Sequence, residues 1–340
     1  MKKRIKFIDI SRAFAIIIIV FGHTLVHSEH CHLIFKLIYS FNVPFFFILS
    51  GYTFNYNEKF SVFIKKKVKR IIIPYFTWAL IFLIPYIVLG SDIAESINVN
   101  STYNIQTQLF NILYGIGRSS ALKQNTALWF LPALFTMEII YYFIMRIVKE
   151  DKKKNIIACA LILITNFITS NYLKIYFPWG LNTVLNISIF FFYGNCLKKY
   201  AHFSEKIFDN KNIPLYLIIG MFACYLNHTI SYLDYTYSNF ILCLISGISL
   251  SNIFIFISQK INSNKTLEYV GVSSMGILIF HKLIILIFQS KLSLISKLLT
   301  NSNIFIELFI TTIVVIISIV FCLIITKIIK KIFPILIGEK

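Results

Sequence analysis

Two residues that can do chemistry stand eleven positions apart in the first strongly apolar run of the chain: Arg12, in Asp9-Ile10-Ser11-Arg12, and His23, in Gly22-His23-Thr24. An α-helix turning 100° per residue comes back to within about 20° of the same face after eleven steps, having risen roughly 16 Å. A guanidinium and a titratable imidazole then share one stripe at two depths. A charge in hydrocarbon costs about 2.5 to 3.5 kcal/mol on insertion scales, so such a pair is expected to line a polar cavity or pathway. The structural alternative is an arginine snorkelling to the interface and a histidine satisfied by a neighbouring helix. Imidazole takes a proton from a hydroxyl near neutral pH, and guanidinium holds phosphate or other polar oxygen groups, which together suit group transfer to an alcohol.

Further polar residues interrupt later apolar runs. Asn42 needs a partner, for which His23 at comparable depth is the expected candidate; Pro44 frees a backbone carbonyl, and Ser50-Gly51 allows close helix approach. Lys65-Lys66-Lys67-Val68-Lys69-Arg70 runs straight into Ile71-Ile72-Ile73-Pro74. Positive-inside topology with lipid headgroup contact explains such a cluster; recognition of phosphates on a cytosolic cosubstrate by Lys67, Lys69 and Arg70 is the sharper reading. Trp129 has interfacial character, while Glu138 at mid-depth requires a proton or a cation, with Arg12 or Lys282 as expected partners. His281 adds a second intramembrane imidazole, so that His23, Asn42 and His281 are expected around one cavity. The run His27-Ser28-Glu29-His30-Cys31-His32 has ligand-type side chains, but its spacing fits no tetrahedral zinc pattern, and no metal site is expected.

The elements that must position these residues are membrane helices. The sequence is 57% hydrophobic and only 14% charged, with mean hydropathy +0.76, which no ordinary soluble chain of 340 residues shows. Ten apolar stretches of spanning length fall at 10–27, 33–54, 71–89, 126–146, 155–171, 179–197, 213–229, 236–258, 270–289 and 303–326. With the amino terminus inside, 25 Lys and Arg fall on the inner side and five in outer loops, predicting both termini in the cytoplasm. The same asymmetry accounts for a net charge of +19 without nucleic acid and places basic residues where membrane lipids and an anionic cytosolic cosubstrate would meet them. The basic start and first apolar run lack a small-x-small cleavage site and are broken by Arg12, so a retained first helix is expected. The cysteines form no CxxC pair and read as small buried apolar residues. An all-α bundle in a single domain over 1–340, with no fused soluble domain, is the expected fold class.

In these residues the chain resembles the acyltransferase-3 family, integral-membrane O-acyltransferases of bacterial polysaccharides and related acceptors. The family's Asp-x-x-Arg followed by ten residues and His is matched by Asp9, Arg12 and His23. Its second-helix Phe-His-Met-Pro pattern, running on into Phe-Phe and Ser-Gly-Tyr, is matched by Phe41, Pro44, Phe45, Phe46, Ser50, Gly51 and Tyr52. Lys65 to Pro74, Trp129 to Leu131 and Ile277 to His281 are similar to its later motifs. Asn42 stands where many members have His, and Lys67 where Arg is common, which keeps the charge but loses bidentate geometry. The resemblance implies transfer of an acetyl or other short acyl group from acyl-CoA to a hydroxyl of a cell-envelope saccharide or lipid-linked glycan, in the bacterial inner membrane. No permanently bound cofactor is implied. His23 would be the base, with His281 and Glu138 in second rank. Arg12, Lys67, Lys69 and Arg70 would hold the donor, and Asn42 and Trp129 would meet substrate. A transporter or flippase of a lipid-linked saccharide also wants intramembrane Arg, His and Glu, and is the competing expectation.

Overall fold

The computed structural model describes residues 4–25, 31–85, 105–115, 122, 125–173, 175–228, 230–232, 234, 236–291 and 303–339. Among these the chain is all-helical: α1 (Lys6–Thr24), α2 (His32–Thr53), α3 (Phe60–Lys67), a π turn (Val68–Ile72), α4 (Ile73–Ile81), α5 (Ile105–Tyr114), a 3-10 turn (Thr126–Trp129) leading into α6 (Phe130–Val148), and α7 (Lys152–Tyr172). Then come α8 (Leu181–Lys199), α9 (Ala201–Ile207), α10 (Asn212–Leu226), α11 (Phe240–Ile261), α12 (Lys265–Val272), α13 (Ser274–Lys291), α14 (Ile304–Ile332) and a closing 3-10 turn (Pro334–Ile337).

Six of these stretches are long and apolar enough to cross a membrane: Lys6–Thr24, His32–Thr53, Thr126–Val148, Lys152–Tyr172, Phe240–Ile261 and Ile304–Ile332. A seventh arises if α12 and α13, bent by 76° at Ser273, count as one span. Within the described residues, which leave out 86–89 and 229, the other stretches expected from hydropathy are largely helical, with differences that have local causes. The helix expected from residue 71 starts at Phe60, because it continues backwards through the lysines, which a hydropathy average does not follow. Asn212–Leu226 has only 15 residues, and Leu181–Lys199 carries Asn182, Asn186 and Asn195 in its buried face. Exposed Ile156, Leu161, Ile164 and Phe167 on α7, and Phe309, Ile316, Val320 and Ile324 on α14, form the apolar outer surface that lipid would cover.

Helix α1 is the hub, packed by α2, α11, α12, α13 and α14. Its small residues Ser11, Ala13, Ala15 and Gly22 let neighbours come close. Gly271 of α12 sits so tightly on the Asp9 carbonyl that a Cβ there would lie 1.8 Å from its oxygen. The expected close approach at Ser50-Gly51 is found against α8 and is reciprocal: a Cβ on Gly51 would meet the Phe191 oxygen at 2.0 Å, and one on Gly194 the Ile48 oxygen at 1.9 Å.

Broken helices are repaired by side chains, as a medium without water requires. The Ser40 carbonyl, freed because Pro44 has no N–H, accepts the Tyr232 hydroxyl at 3.0 Å. At the kink of α8, where Ile187 has φ −134°, Asn166 of α7 donates to the Leu185 oxygen at 2.7 Å and accepts the Ile189 N–H at 3.0 Å. Pro74 likewise cannot close the turn to the Arg70 carbonyl, and the backbone widens into the π turn over Val68–Ile72. That carbonyl instead faces Gly338, whose φ of +73° and missing Cβ allow the approach.

Candidate functional site

His23, near the end of α1, faces His281 on the second turn of α13: Nδ1 of His23 lies 2.9 Å from Nε2 of His281, and the rings are parallel within 3°. The direction of this bond follows from the next one. Nδ1 of His281 lies 2.8 Å from the Ile277 carbonyl oxygen, which can only accept, so that nitrogen carries a proton. With both rings neutral, Nε2 of His281 is then an acceptor, and Nδ1–H of His23 is the donor to it. The remaining nitrogen of His23, Nε2, keeps its lone pair and has no hydrogen-bond partner among the described residues. His281 is fully buried and His23 half-buried, so the relay opens at the His23 end.

Lower on the same stripe, Arg12 reaches α2: Nη2 donates to the Thr53 hydroxyl at 3.2 Å, while Nη1 lies 3.4 Å from Asp9 Oδ1. At the other end of α1, Gly22 packs against Ile38 and Tyr39, and the His23 and Tyr39 rings are 6.4 Å apart. The two helices are therefore antiparallel, with Arg12 opposite Thr53 and His23 opposite Tyr39. Asn42, eleven residues before Thr53, comes within a turn of the depth of His23, as expected. The expected Asn42–His23 hydrogen bond is not formed. His23 is taken by His281, and Asn42 Oδ1 accepts the N–H of its neighbour Val43 at 2.7 Å.

Thr53 is also a wall of a cleft of about 990 Å³. Lys65, Lys66, Lys67, Lys69 and Arg70 line it, against the carboxylates of Glu58 and Glu339. Lys66 pairs with Glu58 at 2.5 Å, whereas Lys65, Lys69 and Arg70 have no ion pair among the described residues. The π turn carries Lys69 and Arg70 to the cleft, and the closing turn of the chain completes it: Trp78 Nε1 donates to the Leu336 oxygen at 2.7 Å, and Glu339 pairs with Lys330. A strongly cationic, open cleft with a guanidinium behind one wall suits a polyphosphate group.

Glu138 finds neither Arg12 nor Lys282. Its partner is Lys67, 2.5 Å away, in an ion pair where Glu138 is buried and Lys67 mostly so. The other Glu138 oxygen has no partner among the described residues. Trp129 is buried edge-on to Phe130, which packs on Phe46 and Phe47 of α2, so it belongs to the bundle interior and not to an interfacial belt. His27 and His30 lie outside the described residues; Cys31 is buried and His32 is exposed at the start of α2.

Two contributors escaped the sequence reading. Thr53 has no motif beyond its eleven-residue spacing from Asn42. Asn125 caps the 3-10 turn by accepting the Ala127 N–H at 3.1 Å, and donates to the Ile279 oxygen at 2.7 Å, tying the start of α6 to α13 beside His281. Its position just before Thr126-Ala127 is a capping signal that sequence alone offers.

No curated protein and no solved structure matches the chain. A family model described as an acyltransferase domain matches residues 5–327 of the 340. The matched stretch holds the His23–His281 relay, the Arg12–Thr53 contact and all five cations of the cleft, and on that evidence the chain belongs to the acyltransferase-3 family of membrane acyltransferases.

Proposed function

We propose that this membrane acyltransferase moves an acetyl or other short acyl group from cytosolic acyl-CoA to a hydroxyl of a cell-envelope saccharide or lipid-linked glycan. The observation that carries the reading is that α1 joins the two half-sites such a reaction needs. Its inner end, through Arg12 and Thr53, adjoins a cationic cleft, and its outer end presents an unpartnered imidazole nitrogen roughly 16 Å further along the axis. Lys67, Lys69 and Arg70 hold the phosphates of the donor, which arrives as a cosubstrate and not as a resident cofactor. Arg12 meets the polar groups where its pantetheine arm enters the bundle, and Trp129 and Asn42 contact substrate. Glu138 keeps Lys67 fixed.

The acceptor hydroxyl gives its proton to Nε2 of His23 as its oxygen attacks the thioester carbon. His281 disperses the resulting positive charge through the Nδ1–H bond and holds the ring in the productive tautomer. When the carbon–sulfur bond breaks, the proton on His23 goes to the departing thiolate, restoring the base and releasing CoA as the thiol. Ten spans with both termini cytoplasmic, in a bacterial plasma membrane among anionic lipids, place the cleft on the CoA side and His23 towards the acceptor. The test is incubation of membranes carrying wild type or His23→Ala with radiolabelled acetyl-CoA and cell-envelope glycans. Label in the saccharide fraction with wild type, lost in the variant at equal expression, supports the reading; no label with any acyl-CoA rejects it in favour of transport.

A further inference from the structure

The amide of Asn42 is oriented by its own backbone. The Val43 N–H, 2.7 Å away, requires an acceptor, which assigns that side of the amide to Oδ1 and turns Nδ2 the other way. Asn42 as a residue is 3% exposed, and among the described residues its side chain makes the Oδ1 bond alone, with none from Nδ2. Nδ2 is not among the fully occluded polar atoms left without a partner, so this oriented donor is open to a partner that the resting protein does not supply. Its place narrows the identity of that partner. Asn42 shares the α2 stripe with Thr53, which touches Arg12, and the antiparallel register puts it within a turn of the level of His23. Pro44, two residues on, and the Ser40 carbonyl held by Tyr232 fix the local backbone, so the donor is preorganised.

We infer that Asn42 Nδ2 is the hydrogen-bond donor to the thioester carbonyl oxygen, and that it stabilises the oxyanion formed when the acceptor hydroxyl attacks. This assignment rests on the acyl-transfer reading above. In the step concerned, a C–O bond forms to the acceptor, the carbonyl π pair moves onto oxygen, and the hydroxyl proton goes to His23 Nε2. Asn42 donates to that oxygen without transferring a proton. On collapse the pair returns to re-form the carbonyl, the C–S bond breaks, and His23 protonates the thiolate. An amide suits the role because it keeps its N–H at every working pH, and a donor aimed at developing charge in a site without water is worth more than it would be in solution.

The experiment measures kcat and KM for acetyl-CoA in solubilised wild type, Asn42→Ala, Asn42→Asp and Asn42→His, with thermal melting of each. Removal of one such donor lowers kcat by about 10²- to 10³-fold while leaving KM for the donor within about threefold. Asn42→Asp, nearly the same shape without the N–H, falls as far as Asn42→Ala; Asn42→His, which supplies an N–H, recovers at least about tenfold. A loss confined to KM, an unchanged kcat, or an equal loss in all three variants tracking a lowered melting temperature overturns the assignment and leaves Asn42 a packing residue. Wild type that transfers label while Asn42→Ala transfers it equally well removes Asn42 alone; wild type silent with every acyl-CoA removes the acyl-transfer reading and this assignment together.

Discussion

His23 and His281 stand 258 residues apart in the chain and 2.9 Å apart in the structure, and the Ile277 carbonyl beneath them sets which nitrogen of each ring carries the proton. Because His281 acts through His23, its loss is expected to leave donor binding alone. His281→Ala should lower kcat by about ten- to a hundredfold with little change in KM for acyl-CoA, whereas His23→Ala should lose about 10²- to 10⁴-fold. A stopped assay over a range of acyl-CoA concentrations separates the two constants. An effect of His281→Ala on KM alone would assign it to donor binding.

The Lys67–Glu138 pair allows stability and donor binding to be separated. Removing one partner leaves a buried charge uncompensated, so Glu138→Gln or Lys67→Met should each cost about 3–5 kcal/mol. Lys67→Met combined with Glu138→Leu should regain most of that stability in a detergent melting assay, but donor KM should remain raised, because the lysine is still missing from the cleft.

Among the described residues Lys69 and Arg70 have no carboxylate partner, so their substitution should unbalance no ion pair there. Lys69→Ala and Arg70→Ala are each expected to raise KM for acyl-CoA about tenfold, with kcat nearly unchanged, as charge-assisted phosphate contacts are lost. The effect should shrink as ionic strength rises, which initial rates at two salt concentrations would reveal.

Gly51→Ala pushes a methyl group into the Phe191 carbonyl, an atom of helical backbone that cannot turn aside. Overpacking of this kind costs about 1–3 kcal/mol, and the melting temperature should drop. Gly22→Ala meets the Cγ2 methyl of the Ile38 side chain, at 2.8 Å, instead of a backbone carbonyl and should be milder.

Much of this site was legible from spacing, because the helical period is indifferent to what surrounds the helix. Arg12 and His23 were placed on one stripe from eleven residues, and Pro44 and Gly51 from what their backbones lack. Partners were not legible. Glu138 pairs with Lys67 from a helix 71 residues earlier, and nothing local distinguishes that lysine from Arg12 or Lys282. The helix that carries the apolar stretch from residue 71 begins earlier, at Phe60, for a related reason: hydropathy weighs side chains, while Phe60 to Ile81 is held by backbone bonds that pass through lysine and isoleucine alike. The π turn at Val68–Ile72 depends on Pro74, a signal present in the sequence but ambiguous between a kink, a helix start and a widened turn.

That widened turn also sets how the cleft tolerates a change in chain length. A π turn holds one residue more than an α turn for nearly the same rotation, because its bonds run i→i+5 instead of i→i+4. Deleting a single codon within Val68–Ile72 would return it to an α turn and leave Lys65, Lys66 and Lys67 on nearly the same side of the axis relative to α4, while the turn that carries Lys69 and Arg70 is shortened. The cations of the turn itself are therefore the part of the cleft that a lineage could gain or discard through one in-frame event, without rebuilding the helices that carry the histidines.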